Sequence, residues 1–277
     1  MALNDTLQNH DREIQALVDS FAEQLGTMLA LAQAGVQGKL TTRLTFTKGV
    51  VDATPANRSA LRQISTLFDE ELDSLGLQHL VDAFVEQFGG QYKYFRQVLD
   101  LTLGADRAKK LDLTLDKGDQ QFLGMFQADA ATSIQAAVAS AGQIAQQKAL
   151  MGIGGLTSKS LATTLAEQVS KSGGVAKSEA ATAISSFYRQ LADLQFQKIE
   201  EDEGWEISYK YVGPPATDIL IRPFCRHLMV ETKAGTTWTR PEINAMDNDQ
   251  LDNVFVTGGG YNCRHQWIFA DMKERPE

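Results

Sequence analysis

Two Cys-x-His sequences toward the carboxyl end of the chain contain the side chains best suited to chemistry. They are Cys225-Arg226-His227 and Cys263-Arg264-His265, which hold both cysteines and two of the four histidines. Two thiolates and two imidazoles form a ligand set that suits tetrahedral zinc. A spacing of one residue is shorter than usual, but residues two apart in a strand share a face. The sequence therefore predicts a structural zinc site with Cys225, His227, Cys263 and His265 as candidate ligands.

A second interpretation of the same residues needs no metal. Both cysteines also fit as packed core residues, or as a pair that becomes a disulfide after lysis, with the histidines bonded to the backbone. Two cysteines are too few for a secreted disulfide scaffold. The residues alone do not decide between a zinc site and a packed core.

Neighbouring charges and glycines allow functional and structural interpretations as well. Asp218 and Arg222 suit an ion pair or two unrelated surface charges, and Arg226 and Arg264 suit acidic partner groups, DNA or local carbonyls. The run Gly258-Gly259-Gly260 has no following Lys-Ser/Thr, so it indicates a tight turn rather than a phosphate-binding loop.

Sequences typical of enzymes are missing from the chain. It has no nucleophile elbow, no His-Glu-x-x-His and no Walker sequence, and His10 and His79 lie in predicted helices without catalytic neighbours. These observations predict a protein that is not an enzyme.

A longer pattern surrounds the two cysteines. It runs from Tyr211-Val212-Gly213-Pro214 through Asp218 and Arg222-Pro223-Phe224-Cys225-Arg226 to a helix capped at Thr239, and ends at Gly258-Gly259-Gly260-Tyr261-Asn262-Cys263-Arg264-His265-Gln266-Trp267. In order and spacing it resembles the C-terminal domain of the Mu F-like minor head (head morphogenesis) proteins of tailed phages. The resemblance covers residues 200–270 and favours pairing of Asp218 with Arg222. Its motif residues are Asp218, Arg222, Gly259, Gly260, Tyr261, Asn262, Arg264 and Trp267.

The resemblance implies a virion structural protein that acts in head assembly or in DNA packaging and delivery. Its expected partners are the portal and capsid proteins and further copies of the chain. It is expected in the head interior or at the portal vertex of the virion, and in the host cytoplasm during assembly. Two alternatives remain open: an enzyme or toxin-like effector that uses the Cys/His module, and a DNA-binding protein that accompanies the genome.

Charge and hydropathy restrict which functional classes fit the chain. The net charge of -9 and the pI near 5.0 argue against a broad phosphate-binding surface, so any DNA contact is expected to be local. The acidic opening residues lack the features of a secretory signal, and no apolar run reaches membrane-spanning length. We therefore expect a cytoplasmic protein without membrane contact.

Apolar periodicity predicts the elements that must position the cysteines. Helices are expected over residues 6–35, 55–72, 77–88, 91–103, 117–151 (one helix or a broken pair), 158–169 and 177–200, with a hinge at Gly35–Gly38, an extended segment or hairpin within residues 35–54, and a break at Gly173-Gly174. Strands are expected over residues 205–211, 229–232 and 266–270, and a capping box at Thr239 to Glu242 starts a helix to about Met246.

The resulting fold class is mainly α, with a long helical N-terminal region before a small C-terminal α+β module. The predicted domains are an N-terminal helical region over residues 1–120, long alanine-rich helices over 121–200, and the Mu F-like module over 201–277. Trp205, Trp238 and Trp267 are expected in the core of that module.

Overall fold

Helices make up most of the protein, which confirms the predicted mainly α class with a small C-terminal α+β module. The computed structural model describes residues 3–111, 113–202, 205–213, 221–260 and 263–274. In chain order its elements are α1 (Leu3–Arg43), β1 (Phe46–Thr47), β2 (Val50–Val51), α2 (Pro55–Leu61), α3 (Ile64–Ser74), α4 (Leu77–Glu86), α5 (Gly90–Leu103), α6 (Ala105–Ala108), α7 (Lys117–Met151), α8 (Ser158–Asp202), β3 (Trp205–Val212), α9 (Pro223–Lys233), β4 (Trp238–Thr239), α10 (Arg240–Asn244), α11 (Val254–Thr257) and β5 (Gln266–Glu274). Within these residues, no helix combines the length and apolar character that crossing a membrane requires.

The chain forms two compact units, each discontinuous in sequence. Unit 1 contains Met1–Ala16, Glu86–Ala128 and Ala181–Glu277, and unit 2 contains Leu17–Val85 and Asp129–Ala180. Helices α1, α7 and α8 therefore each contribute residues to both units. The division into three consecutive domains stays a prediction.

Helix α1 continues through Gly35 and Gly38 to Arg43, so the predicted hinge is wrong. The reason is packing within unit 2: the buried positions Ala32, Val36 and Leu40 keep the helical spacing past both glycines. A Cβ at Gly35 would lie 2.5 Å from the Glu71 carboxyl carbon, so the glycine also permits close approach. Beyond α1, Phe46–Thr47 and Val50–Val51 pair antiparallel as the hairpin that the sequence allowed.

Helix α8 runs unbroken through Gly173-Gly174, which corrects the predicted break there. In unit 2 the buried Leu165, Ala176 and Ala180 continue one helical face on both sides of the glycine pair. A glycine inside a helix costs only about 1 kcal/mol relative to alanine, and burial on both sides offsets that cost. Residues 117–151 form the single helix α7, one of the two alternatives left open by the sequence.

The C-terminal module in unit 1 is a three-stranded antiparallel sheet in the order β4-β3-β5. The predicted strands over residues 205–211 and 266–270 are confirmed, and they pair from Trp205↔Glu274 to Val212↔Gln266 with an irregularity at Ser208/Tyr209. The Thr239 capping box is also confirmed and starts α10. Trp267 is 1% exposed and lies in the core as predicted, whereas Trp205 and Trp238 are partly exposed.

Residues 229–232 are helical, so the strand predicted there is wrong. They belong to α9, which begins with a proline in its first turn and buries Cys225, Leu228 and Met229. These spacings of three and four residues place one helical face against the module. The Tyr211 amide donates to the Thr232 hydroxyl at 3.1 Å, which ties α9 to strand β3.

A buried aromatic cluster in unit 1 surrounds His10. Its ring stacks on Tyr94 with centroids 3.3 Å apart, and the Tyr188 ring lies 6.0 Å away. Burial lowers the pKa of His10 to about 4, against a smaller raising effect of Gln91. His10 is thus neutral in the folded protein at neutral pH.

Because His10 is buried in this environment, we predict that the folded protein loses stability at acidic pH. Unfolded His10 takes up a proton as the pH falls through 6.5, whereas folded His10 stays neutral until about pH 4. The free energy of unfolding should therefore fall by up to about 3 kcal/mol across that window, and His10→Phe should remove this part of the slope. Urea unfolding at a series of pH values measures it, with exposed His79→Gln as control. An unchanged slope in His10→Phe would contradict the assignment.

Candidate metal centre

Cys225 and Cys263 come together although they lie on different elements. Cys225 is on α9 and Cys263 just precedes β5, and their Sγ atoms are 3.7 Å apart. Both are buried and neither is in a disulfide. The predicted zinc site required these two cysteines to lie side by side, and they do.

His265 joins the two cysteines from an extended segment. Residues 263–265 alternate buried, exposed and buried, so Cys263 and His265 share a face as expected for a spacing of two in extended chain. His265 Nδ1 lies 3.8 Å from Cys263 Sγ. The ligand atoms of Cys225, Cys263 and His265 all lie within 4.8 Å of one another, so this group could hold a metal ion.

His227 lies outside this group, which corrects its assignment as a fourth ligand. Cys225 and His227 would share a face only in an extended segment, but both are on helix α9. Two residues advance a helix by about 200°, so the buried Cys225 leaves His227 on the opposite, exposed face.

The glycine run forms a tight turn over the two sulfurs. Gly258 and Gly260 have positive φ angles of 59° and 93°, which favour glycine. The Gly259 amide donates to Cys263 Sγ at 3.1 Å, and a Cβ on Gly259 would lie 2.1 Å from Cys225 Sγ. The predicted tight turn is confirmed, and its close approach to sulfur requires glycine.

Gly259→Ala is therefore expected to push the two sulfurs apart. We expect a loss of stability on the order of 2–4 kcal/mol, together with the loss of any metal ion that the three side chains hold, because neither the loop nor α9 has space for the methyl group. Metal analysis and urea unfolding measure both effects. Gly174→Ala is the matched control, since its Cβ would have no neighbour within 4 Å. Equal metal content in the two variants would contradict the close-approach explanation.

Other motif residues support the turn or lie outside the described chain. Arg222 Nη1 donates to the Gly259 carbonyl at 2.5 Å. Arg264 pairs with Asp11 at 3.2 Å, and Arg226 is exposed. Asp218, Tyr261 and Asn262 lie outside the described residues, so the predicted pairing of Asp218 with Arg222 stays a prediction.

Tyr211 contributes a polar atom that the sequence analysis did not assign to the site. Its hydroxyl lies 3.5 Å from each sulfur, and its side chain is fully buried. Its ring stacks on His265 at 5.4 Å with an interplanar angle of 7°. Burial raises the pKa of Tyr211, so in the absence of a metal it is a phenol beside the two sulfurs.

Arg189 of α8 anchors the segment that carries Cys263 and His265. It is 3% exposed and donates to the carbonyls of Cys263 at 2.9 Å, His265 at 3.1 Å and Val256. Arg189 was not among the predicted site residues, although a single arginine next to Phe187, Tyr188 and Leu191 is an unusual charge on a buried helical face. Its guanidinium places a positive charge beside the site.

The two thiols lie within hydrogen-bonding distance of each other, and either sulfur can be the donor. The hydrogen bond between Cys225 and Cys263 lowers the pKa of Cys263 well below its usual value, against the opposing effect of burial, and His265 and Arg189 also lower it. The same hydrogen bond, together with burial, raises the pKa of Cys225. A lowered pKa favours the thiolate form of Cys263, which is the form that binds a metal ion.

Comparisons of the chain with protein-family models, curated proteins and solved structures found no match.

Proposed function

We propose that a zinc ion bound by Cys225, Cys263 and His265 holds the C-terminal module together, and that the chain is a virion structural protein of the minor head type. The proposal rests on one observation: these three side chains are buried and their ligand atoms lie close together. They reach the site from α9 and from the segment before β5, so one ion would join parts of the module that are distant in sequence.

The donor set fits zinc in chemistry and in spacing. Two soft thiolates and one imidazole are typical zinc ligands. A tetrahedral zinc with Zn–S bonds of about 2.3 Å has its sulfurs about 3.8 Å apart. The observed Sγ–Sγ distance of 3.7 Å fits this edge, and the lowered pKa of Cys263 favours the thiolate that zinc needs.

Burial supports a structural rather than a catalytic role. Cys225, Cys263 and His265 are 2%, 5% and 4% exposed, and the glycine turn lies against both sulfurs. A catalytic zinc keeps a position open for water or substrate, whereas a structural zinc is enclosed. The enclosure therefore favours a module stabilised by zinc over the enzyme or toxin-like alternative.

The virion role rests on the resemblance of residues 200–270 to the Mu F-like minor head proteins. The contact between Cys225 and Cys263 supports it, because the resemblance places both cysteines in one domain. In this role the module would be a rigid part of a protein that contacts the portal, the capsid interior and further copies of the chain.

Mass spectrometry of purified phage particles tests the virion role. We expect peptides of this chain at a few copies per particle, measured against portal and major capsid peptides. Particles from a host carrying a deletion of the coding sequence provide the control. Absence of the chain from mature particles and from purified assembly intermediates would overturn the virion role and leave the zinc site untouched.

A further inference from the structure

The Tyr211 hydroxyl lies at the distance from both sulfurs that a fourth zinc ligand would have. Its Oη atom is 3.5 Å from Cys225 Sγ and 3.5 Å from Cys263 Sγ. In a tetrahedron with Zn–S bonds of about 2.3 Å and a Zn–O bond of about 2.0 Å, each sulfur–oxygen edge is about 3.5 Å. Both observed distances match that edge, in addition to the match of the sulfur–sulfur distance.

We infer that Tyr211 closes the site as its fourth ligand, giving a zinc centre with two cysteine ligands, one histidine and one tyrosine. This inference rests on the proposed zinc site. On binding, the phenol O–H bond breaks, its proton leaves to solvent, and a Zn–O bond forms with no change of oxidation state.

The residues around the site favour Tyr211 over a water molecule at the fourth coordination position of the zinc ion. Tyr211 has no exposed surface, and a Cβ at Gly258 would lie 3.3 Å from its hydroxyl and 3.2 Å from Cys263 Sγ. The turn thus covers the side of the site at which the hydroxyl meets the sulfurs. Stacking on His265 fixes the ring that carries the oxygen.

Charge balance favours a phenolate as this ligand. Two thiolates neutralise Zn²⁺, and His265 bound through Nδ1 is neutral. Within the described part of the chain no carboxylate forms an ion pair with Arg189, so its buried guanidinium would keep an unbalanced positive charge. An isolated buried charge is costly. A phenolate at Tyr211 brings the cluster of zinc, ligands and Arg189 to neutrality, and Arg189 lies beside this cluster because it donates to the carbonyls of Cys263 and His265.

Ultraviolet difference spectroscopy on the full-length protein tests the ligand. Removal of zinc by a chelator is expected to abolish a tyrosinate absorption band, and return of one equivalent of zinc is expected to restore it. Tyr211→Phe should lack the band and bind zinc at least about tenfold more weakly. Tyr92→Phe, at a 39% exposed tyrosine in the same unit, is the control that should keep both properties.

The possible outcomes separate this inference from the zinc site itself. One zinc per wild-type chain with no tyrosinate band would overturn the ligand assignment, because Tyr211 would then only donate a hydrogen bond to sulfur. A wild-type chain that binds no zinc would overturn the zinc site and the ligand assignment together. The spectrum of the wild-type protein tests whether Tyr211 is a ligand even if the Tyr211→Phe variant does not fold.

Discussion

Cys225→Ser and Cys263→Ser are each expected to abolish zinc binding and to loosen the C-terminal module. A serine hydroxyl is a poor replacement for a thiolate on zinc, and the free energy of metal binding contributes directly to the stability of the folded site. We expect a loss of at least about 3 kcal/mol in the module, because each variant removes a ligand and leaves a buried polar group. Metal analysis and thermal unfolding measure both effects.

The two histidines provide the matched comparison for the cysteine variants. His265→Ala should lose zinc, whereas His227→Ala should keep it, because His227 is exposed on the far face of α9. The helical content measured by circular dichroism should be retained in all four variants, since most helices lie outside the module. Unchanged metal content and melting in both serine variants would defeat the zinc centre.

Arg189→Met is expected to cost on the order of 3–5 kcal/mol. The substitution keeps most of the side-chain volume but leaves three buried carbonyls, those of Val256, Cys263 and His265, without their donor. It also releases the segment that holds two of the proposed ligands, so zinc affinity should fall together with stability. Urea unfolding and competition with a chelator measure the two effects.

Arg226→Met is the control for Arg189→Met. Arg226 is the residue after Cys225 and is exposed on α9, so its replacement should change stability by less than about 0.5 kcal/mol. Equal effects of the two substitutions would show that Arg189 acts through net charge rather than through its buried carbonyl contacts.

Much of the helical fold could be predicted because apolar periodicity reports buried faces directly. The errors occurred where a local signal competed with packing. Gly35, Gly38, Gly173 and Gly174 suggested breaks, but each lies in a helix whose buried face continues on both sides. The apolar run at Met229 was assigned to a strand, although Cys225, Leu228 and Met229 already had helical spacing.

The candidate site was predictable in part, since cysteine and histidine are distinctive in sequence. The prediction that Cys225, Cys263 and His265 lie together was correct. The prediction that His227 is a further ligand was wrong, because residues two apart share a face in a strand but not in helix α9. Tyr211 and Arg189 were missed for a different reason. A tyrosine in a strand and an arginine in a helix are common, and only the three-dimensional contacts distinguish these two residues.

X-ray absorption at the zinc edge tests the central claim most directly. The protein, purified without added metal, should contain about one zinc per chain, with two sulfur neighbours at about 2.3 Å and two lighter neighbours at about 2.0 Å. A protein that contains no zinc, or whose zinc has only nitrogen and oxygen neighbours, would contradict the account.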